Sequence, residues 1–515
     1  MYKATTEDIR LLKAGSKTWT ARIEVLNRRF QSLAEIQGEV TSASCSIDSG
    51  SDIRRTCSLT VHVATDTHSI SEHGYFWLDK LIRLSYGILN AAAQQYVYYP
   101  LGVFLLNDND VSFSAEDNSL TLSLVDLMAL ATDMRGSALG AQNTVIEVNS
   151  NIRGAMISTL TQLVGHERYR IREFPSDQAV VPYDLEFDPG SYPYDILVKL
   201  RDLYPCNQMY FDTDGVFVCE EIPDNMDSPL ELDESIMDGL IISESRSVSF
   251  SKVRNVTEIW GQELEAKRTA DKCETNGDTY VMTIADITVM DDGVTYCLTP
   301  DKDNINGMKA QINKLKACPI LVRKDKADGT QTDEPIEAGV MRAGLPYVLR
   351  YAGGNFYYYG ELNVHGVAIA LNTQPSKEDM ERYEKMFDCR NIRYVVNPQD
   401  EFAVERIGMI KQVFTGGEYE NIYTSELACQ RAAYENWKST RLQYTMTLET
   451  IIIPWLDVGK LIRYTSPATR ELETALIDNI DIRPADGVMT LGLTRHYPYY
   501  PWGMTGQEIQ GGENK

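Results

Sequence analysis

The chain has 515 residues, with 49 Lys and Arg against 74 Asp and Glu, a formal charge of −25. That length exceeds what one hydrophobic core serves, so about two to four domains are expected. The acidic balance argues against a surface that grips nucleic-acid phosphates or docks on an anionic membrane, since both need clustered Lys and Arg.

The first 130 residues read as strands. Ala21–Asn27 alternates, and Cys57–Thr65 puts Cys57, Leu59, Val61 and Val63 on one face of a half-buried strand. Tyr99–Asp108 follows. Ser119–Ala131 then alternates through Leu120, Leu122 and Leu124 before turning helical. Two helices come next: Asn151–Gly165, stopped by its glycine, and Tyr192–Pro205, stopped by its proline. The segment after them predicts a hairpin turning at Asp214-Gly215.

From Leu240 the chain returns to strands. Glu263–Asn276 reads as a loop, Asp292-Gly293 as a hairpin turn, and Asn306–Cys318 as a short helix. Tyr347–Leu371 is β structure punctuated by glycines. Ser376–Phe387 is a helix with Ser376 as N-cap and Asp379 three positions on. A helix to about Ser439 places Cys429, Ala433 and Trp437 on one face, expected to pack on the strand whose inner positions are Leu442, Tyr444, Met446 and Leu448. Pro454 closes that strand, and Asp486-Gly487 turns the last hairpin. The end of the chain reads as a frayed tail. No period of 20–50 residues repeats, which excludes a solenoid or propeller.

Reactive patterns are missing. There is no GxSxG, HExxH, P-loop or GxGxxG. His62, His68 and His73 have spacings that fit no zinc site, and FDTDG lacks the remaining ligands of a calcium loop. Nine scattered cysteines without a CxxC point to buried thiols in a reducing compartment. The N-terminus has no secretory apolar core, and no apolar run is long enough to span a bilayer. No catalytic, metal or cofactor-binding residue is therefore assigned. Aromatic clusters are richer in meaning: HGYFW at 73–77, YVYYP at 96–100, FYYYG at 356–360 and HYPYYPW at 496–502. Tyr and Trp favour interfaces, but they also favour packed strands. On this basis Trp77, Tyr99, Trp260, Trp437 and Trp455 are the candidate interface residues.

Several segments, in order, resemble one family. WLDKLIRLSYGI, YYPLGVFLLND and NSLTLSLVDLMALA are similar to the opening domain of phage tail-tip hub proteins of the tail-associated-lysin N-terminal type. SYPYDILVKLRDLYPCNQMYFDTDGVFVCEEIP resembles their inserted α+β domain, SKVRNVTEIWG the returning strand, and the stretch from Glu401 to Tyr464 their closing domain. Residues 262–375 match least well. The resemblance implies an α+β, mostly β, multidomain chain: a tail-tube-like β-barrel or sandwich domain at 1–132, an inserted α+β domain at 133–235, return strands with a β-rich insertion at 236–400, a second tube-like domain at 401–500 and a flexible tail at 501–515.

It further implies a homotrimeric hub at the virion tail tip, similar to the centre of contractile-tail baseplates and made in the host cytoplasm. Three copies would present a pseudo-sixfold ring to a hexameric tube. The implied partners are the distal tail or tail-tube protein, the tape measure protein and a tip or central fibre protein, with no specific nucleic-acid binding and no integral membrane segment. Three times −25 is −75, a charge suited to a DNA channel that should not hold DNA. The chain is expected to be the hub alone, without an appended enzyme. The alternatives are a peptidoglycan or carbohydrate hydrolase and a receptor-binding tail protein.

Overall fold

The structure is a computed structural model. It describes residues 4–14, 18–36, 40–62, 72, 74–113, 118–175, 179–181, 184–204, 207–222, 229–261, 266–325, 331–362, 367–371, 376–378, 381, 393–396, 400–416, 419, 422, 425–497 and 507–510.

The first half of the largest sheet is built from β1 (Trp19–Asn27), β2 (Ser32–Ile36), β3 (Val40–Asp48), β4 (Arg55–His62), β5 (Lys80–Asn90), β6 (Gln95–Phe113) and β7 (Asn118–Asp126). Alternation decides the pairing. Cys57, Leu59 and Val61 on β4 lie opposite Leu124, Leu122 and Leu120 on β7, and all six are buried. β7 then ends on Asp126, whose side chain accepts from Met128 N at 2.8 Å and starts the 3-10 turn Leu127–Leu130.

The closing region completes this sheet. The strands run in the order β2-β1-β5-β6-β7-β4-β3, then Leu472–Arg483, Val488–Arg495, Gln443–Ile451 and Ile241–Ser249; Leu461–Thr465 and Leu230–Leu232 branch from it, giving thirteen strands. The join is β3 on Leu472–Arg483, where Cys45 faces Ile482 and Ile47 faces Ile480. One face of both halves packs into a single core that includes Leu59, Leu122, Tyr99, Met446, Leu448, Trp455 and Ile477.

The other face of β5–β7 is covered by the inserted unit. Leu81, Val103, Leu105 and Val125 pack with Ile152, Met156 and Leu160 of one helix and Ile196, Leu197 and Leu200 of another. The first helix, Ile152–Ser158, runs on as a π-helical turn and ends on Gly165 at φ 73°. The second, Pro193–Asp202, is closed by Tyr192 N donating to Asp195 Oδ2 at 2.7 Å. The hairpin Asn207–Phe211/Phe217–Glu221 follows, with the strand Tyr169–Ile171 beside it.

A two-stranded ladder of Thr144–Ile146 with Leu185–Phe187 and two larger sheets complete the fold among the described residues. A five-stranded sheet runs Lys411–Thr415, Val256–Trp260, Val367–Leu371, Arg393–Val396 and Gln507–Gln510. Residues 268–361 form a nine-stranded sheet around a core of their own, with Tyr280, Met282, Tyr296, Leu349 and Phe356 at its centre. The chain is thus α+β and mostly β, with several sheets, as the resemblance implies.

The structure differs from the sequence reading in several places. Asn306–Cys318 is not a helix: Lys309–Ile312 is a strand, because Ala310 and Ile312 alternate into the core. Glu263–Asn276 is not a plain loop, since Arg268–Thr269 and Lys272–Asn276 are strands. The hairpin in this region turns at Gly277 (φ 63°), not at Asp292-Gly293. At Asp214-Gly215 only the glycine has positive φ; the loop is held by Asp212 Oδ1, which accepts from Asp214 N and Val216 N at 3.0 Å each.

The helix Ser425–Ser439 packs on the five-stranded sheet rather than on the strand holding Leu442–Leu448. Its buried face is Ala428, Cys429, Ala432 and Asn436, one position away from the expected one. Strand Lys411–Thr415 joins that same sheet, and Ile241–Ser249 joins the large one, so the expected boundaries at 236 and 401 do not follow the sheets. Gln507–Gln510 is a strand antiparallel to Arg393–Val396, where a frayed tail was expected. Most of the helix expected at Ser376–Phe387, with its capping Asp379, lies outside the described residues.

Candidate assembly surface

The five candidate interface residues separate into two groups. Tyr99 and Trp455 are inside the folded chain, 0% and 7% exposed, with ring centroids 5.5 Å apart. The Tyr99 hydroxyl donates to Asp8 Oδ1 at 2.7 Å, tying the N-terminal helix Thr6–Leu12 to β6. The other three keep exposed surface. Trp77 is 37% exposed beside Leu78 at 53%. Trp260 is half-buried at the end of its strand, across from Val367 and Thr415. Trp437 is half-buried, stacked on Tyr434 at 5.7 Å, with the Arg441 guanidinium 4.1 Å above its ring. Burial there pushes Arg441 down to about 10.

The structure also has two features without a sequence motif. The first is a buried polar junction between the sheet halves and the inserted unit. Arg55, at the start of β4, is 1% exposed. It pairs with Asp457 of the closing region and donates to the carbonyl of Phe211 at 2.5 Å, while its own backbone N donates to Asp126 at 2.9 Å. Burial alone would depress its pKa, but the carboxylates of Asp457 and Asp126 hold it up. Asp126 is pushed up by burial, against the two backbone donors that favour its charge. Neighbouring Arg54 lies 3.9 Å over the Tyr210 ring and donates to Val458 O at 2.9 Å and Gln208 Oε1 at 3.2 Å. Tyr210 and Lys460 both reach Glu220 Oε1, at 2.8 and 3.0 Å. The available signal was Asp457 and Lys460, two charges set in an otherwise apolar turn.

The second feature is the pair of sheet edges. β2 and Ile241–Ser249 end the thirteen-stranded order, and each has one neighbour strand among the described residues. Both ends carry exposed apolar side chains: Leu33, Trp77 and Leu78 near one, and Ile242, Val248 and Phe250 (73% exposed) at the other. Isolated edges of this kind invite pairing with another chain. On the inner side of Ile241–Ser249, Arg246 reaches Glu473 at 2.7 Å, and Glu473 also accepts from Arg495 at 2.9 Å. Such inward-pointing charges limit indiscriminate edge pairing.

The seven described cysteines are buried free thiols, and burial pushes Cys219 and Cys273 up to about 12, far from a reactive thiolate. His166 is buried against Phe211 at 5.0 Å, and burial lowers its pKa. His62, His68, His73 and His365 have no described side chain. Among the described residues no group of three or more His, Cys, Asp and Glu could hold a metal ion, and no helix is long and apolar enough to cross a membrane.

Residues 399–500 match a family model described as Domain of unknown function (DUF5048). No curated protein matches. Among solved structures, the chain is similar to the prophage MuSo2 43 kDa tail protein from Shewanella oneidensis (9% identity, 93% of this chain and 98% of that one, TM-score 0.45). A tail protein from Neisseria meningitidis MC58 aligns at 8% identity over 92% and 96% with TM-score 0.43. Prophage tail protein gp18 from Listeria monocytogenes EGD-e aligns at 9% over 92% and 94% with TM-score 0.39.

Proposed function

We propose that this chain is the structural hub of a phage tail tip or of a phage-tail-like particle. Three copies form a ring that adapts the hexameric tail tube to the tip and lines or closes the DNA channel. The ring contacts the distal tail or tail-tube protein, the tape measure protein, and a tip or central fibre protein.

Beside the ordered resemblance of the sequence, one observation carries this reading. The opening and closing regions form one sheet over one core, and each end of its strand order has one neighbour strand among the described residues. A sheet whose strand order ends on two different strands can associate head to tail, the Ile241–Ser249 edge of one copy against β2 of the next, and such a contact must close into a ring or grow into a filament. The role is a structural one, with no catalysis assigned.

The test is the oligomeric state in solution, followed by electron microscopy of purified particles. The protein should be a trimer by light scattering, and three copies should ring the tip below the last tube ring. The double variant Val248→Lys, Phe250→Asp should be a folded monomer, because both side chains are exposed in the protomer. A wild-type monomer that is absent from particles would refute the proposal.

A further inference from the structure

The nine-stranded unit at 268–361 is attached to the rest of the molecule in a particular way. It is inserted between Val256–Trp260 and Val367–Leu371, which are antiparallel neighbours in the five-stranded sheet. Trp260 lies directly across from Val367, so the chain leaves and re-enters the body at the same rung of one ladder. Its core is its own: the apolar cluster around Tyr280, Met282 and Phe356 takes in residues from 270 to 358 and none from the body. A unit joined at one point and sharing no core with its neighbour is free to turn as a rigid body unless something else holds it.

Among the described residues, a small polar seam joins it to the inserted unit. Arg350 and Tyr359 project from adjacent strands of the lobe. The Tyr359 hydroxyl donates to Asp184 Oδ2 at 2.7 Å, and Arg350 Nη1 donates to the same hydroxyl at 3.0 Å. Arg350 also lies 3.5 Å from Asp184 and 3.8 Å from Glu147. Asp184 is itself fixed, since its Oδ1 accepts from Val148 N at 2.7 Å. The burial of Tyr359 and its carboxylate neighbour Asp184 push its pKa up, so the phenol stays a donor. A cavity of about 50 Å³ lined by Glu147, Asn149, Arg350, Tyr357 and Tyr359 remains in the seam, so the two surfaces are not closely fitted.

We infer that residues 268–361 are a hinged lobe that turns about the Trp260–Val367 rung, and that the Arg350–Tyr359–Asp184 contact is the latch that holds it docked on the inserted unit. A charge-assisted bond between two otherwise separate cores can be made and broken without disturbing either. Opening would expose the seam face of Tyr357 and Tyr359 while the lobe stays folded.

Hydrogen exchange on the full-length protein tests this, with the double variant Arg350→Ala, Tyr359→Phe. The amide of Val148, which donates to the latch carboxylate Asp184, should exchange about ten-fold faster than in wild type, the factor that loss of one charge-assisted hydrogen bond corresponds to. Amides at 280–282, 296–298 and 347–349 in the lobe core should keep their protection, and small-angle scattering should show a broader distribution of interatomic distances. Unchanged exchange at the seam would mean that other contacts hold the lobe, and the latch would be refuted. Loss of protection throughout the lobe would mean unfolding rather than rotation, and the hinge would be refuted.

Discussion

The thirteen-stranded sheet and the nine-stranded lobe are both β structure, yet opposite kinds of contact hold them together. In the sheet the decisive contacts link opposite ends of the chain: Arg54 donates to Val458 across 404 residues, and β3 pairs with Leu472–Arg483. In the lobe every strand pairs with another from 268–361. The sheet therefore exists only when the whole chain has folded, whereas the lobe carries all its partners with it. The difference predicts two separable unfolding transitions, and each substitution below should move one and spare the other.

The largest effect is expected from Arg55→Ala. It leaves Asp457 and buried Asp126 facing a cavity without their cation, and breaking a buried pair in this way costs about 3–5 kcal/mol. Differential scanning calorimetry should show the body transition falling while the lobe transition stays in place. If the two fall together, the lobe is not an independent unit. Trp455→Ala should act on the same transition by about 3–5 kcal/mol, because its ring packs on Tyr99 in the shared core. Its effect should appear as lost stability of the body.

A smaller effect, on the other transition, is expected from Asn304→Ala. This side chain is 3% exposed and ties two lobe loops: Nδ2 donates to Glu337 O at 2.7 Å, and Oδ1 accepts from Met341 N at 2.8 Å. Removing it leaves buried backbone groups unsatisfied, at about 1–3 kcal/mol. The lobe transition alone should shift, and a matching shift in the body would undo the comparison.

The same contrast explains what could be read in the sequence. Several strands of the large sheet alternate into the shared core, so Cys57, Leu59, Leu122, Leu124, Met446 and Leu448 were legible one by one. Their partners were not, since nothing in β3 names a strand four hundred residues on. In the lobe the strands are short. Lys309–Ile312 offers only two buried positions, and a helical reading of the surrounding lysines competes with it. The helix Ser425–Ser439 was legible as a helix, but its face was misread by one position because Trp437 looked like the anchor. The anchor is a set of small residues, Ala428, Cys429 and Ala432, which let the helix approach its sheet. The edges and the Arg55 junction have no motif, because both arise from which strands end a sheet and which loops meet.

The smallest effect sharpens the comparison through pH. His166 lies in the body, buried between Phe30 and Phe211, with a ring nitrogen 2.9 Å from Arg168 O. Burial and the Arg168 charge lower its pKa below 6.5, against the backbone hydrogen bonds that favour the charged ring. Above 6.5 the ring is neutral in both folded and unfolded chain and nothing is lost. As pH falls below 6.5, the unfolded chain takes up a proton that the folded one refuses, so body stability should decline by at most about 1.4 kcal/mol per pH unit. Residues 266–362 contain no histidine, and the lobe carboxylates Asp278 and Asp301, held down by hydrogen bonds from Lys309 and Thr275, lose their contribution only below about 3.8. Between pH 7 and 5 this group should lower the body transition while the lobe transition stays flat, and His166→Gln should remove the part of the body's slope that the imidazole causes. A lobe that follows the body through this range would show that the two are coupled after all.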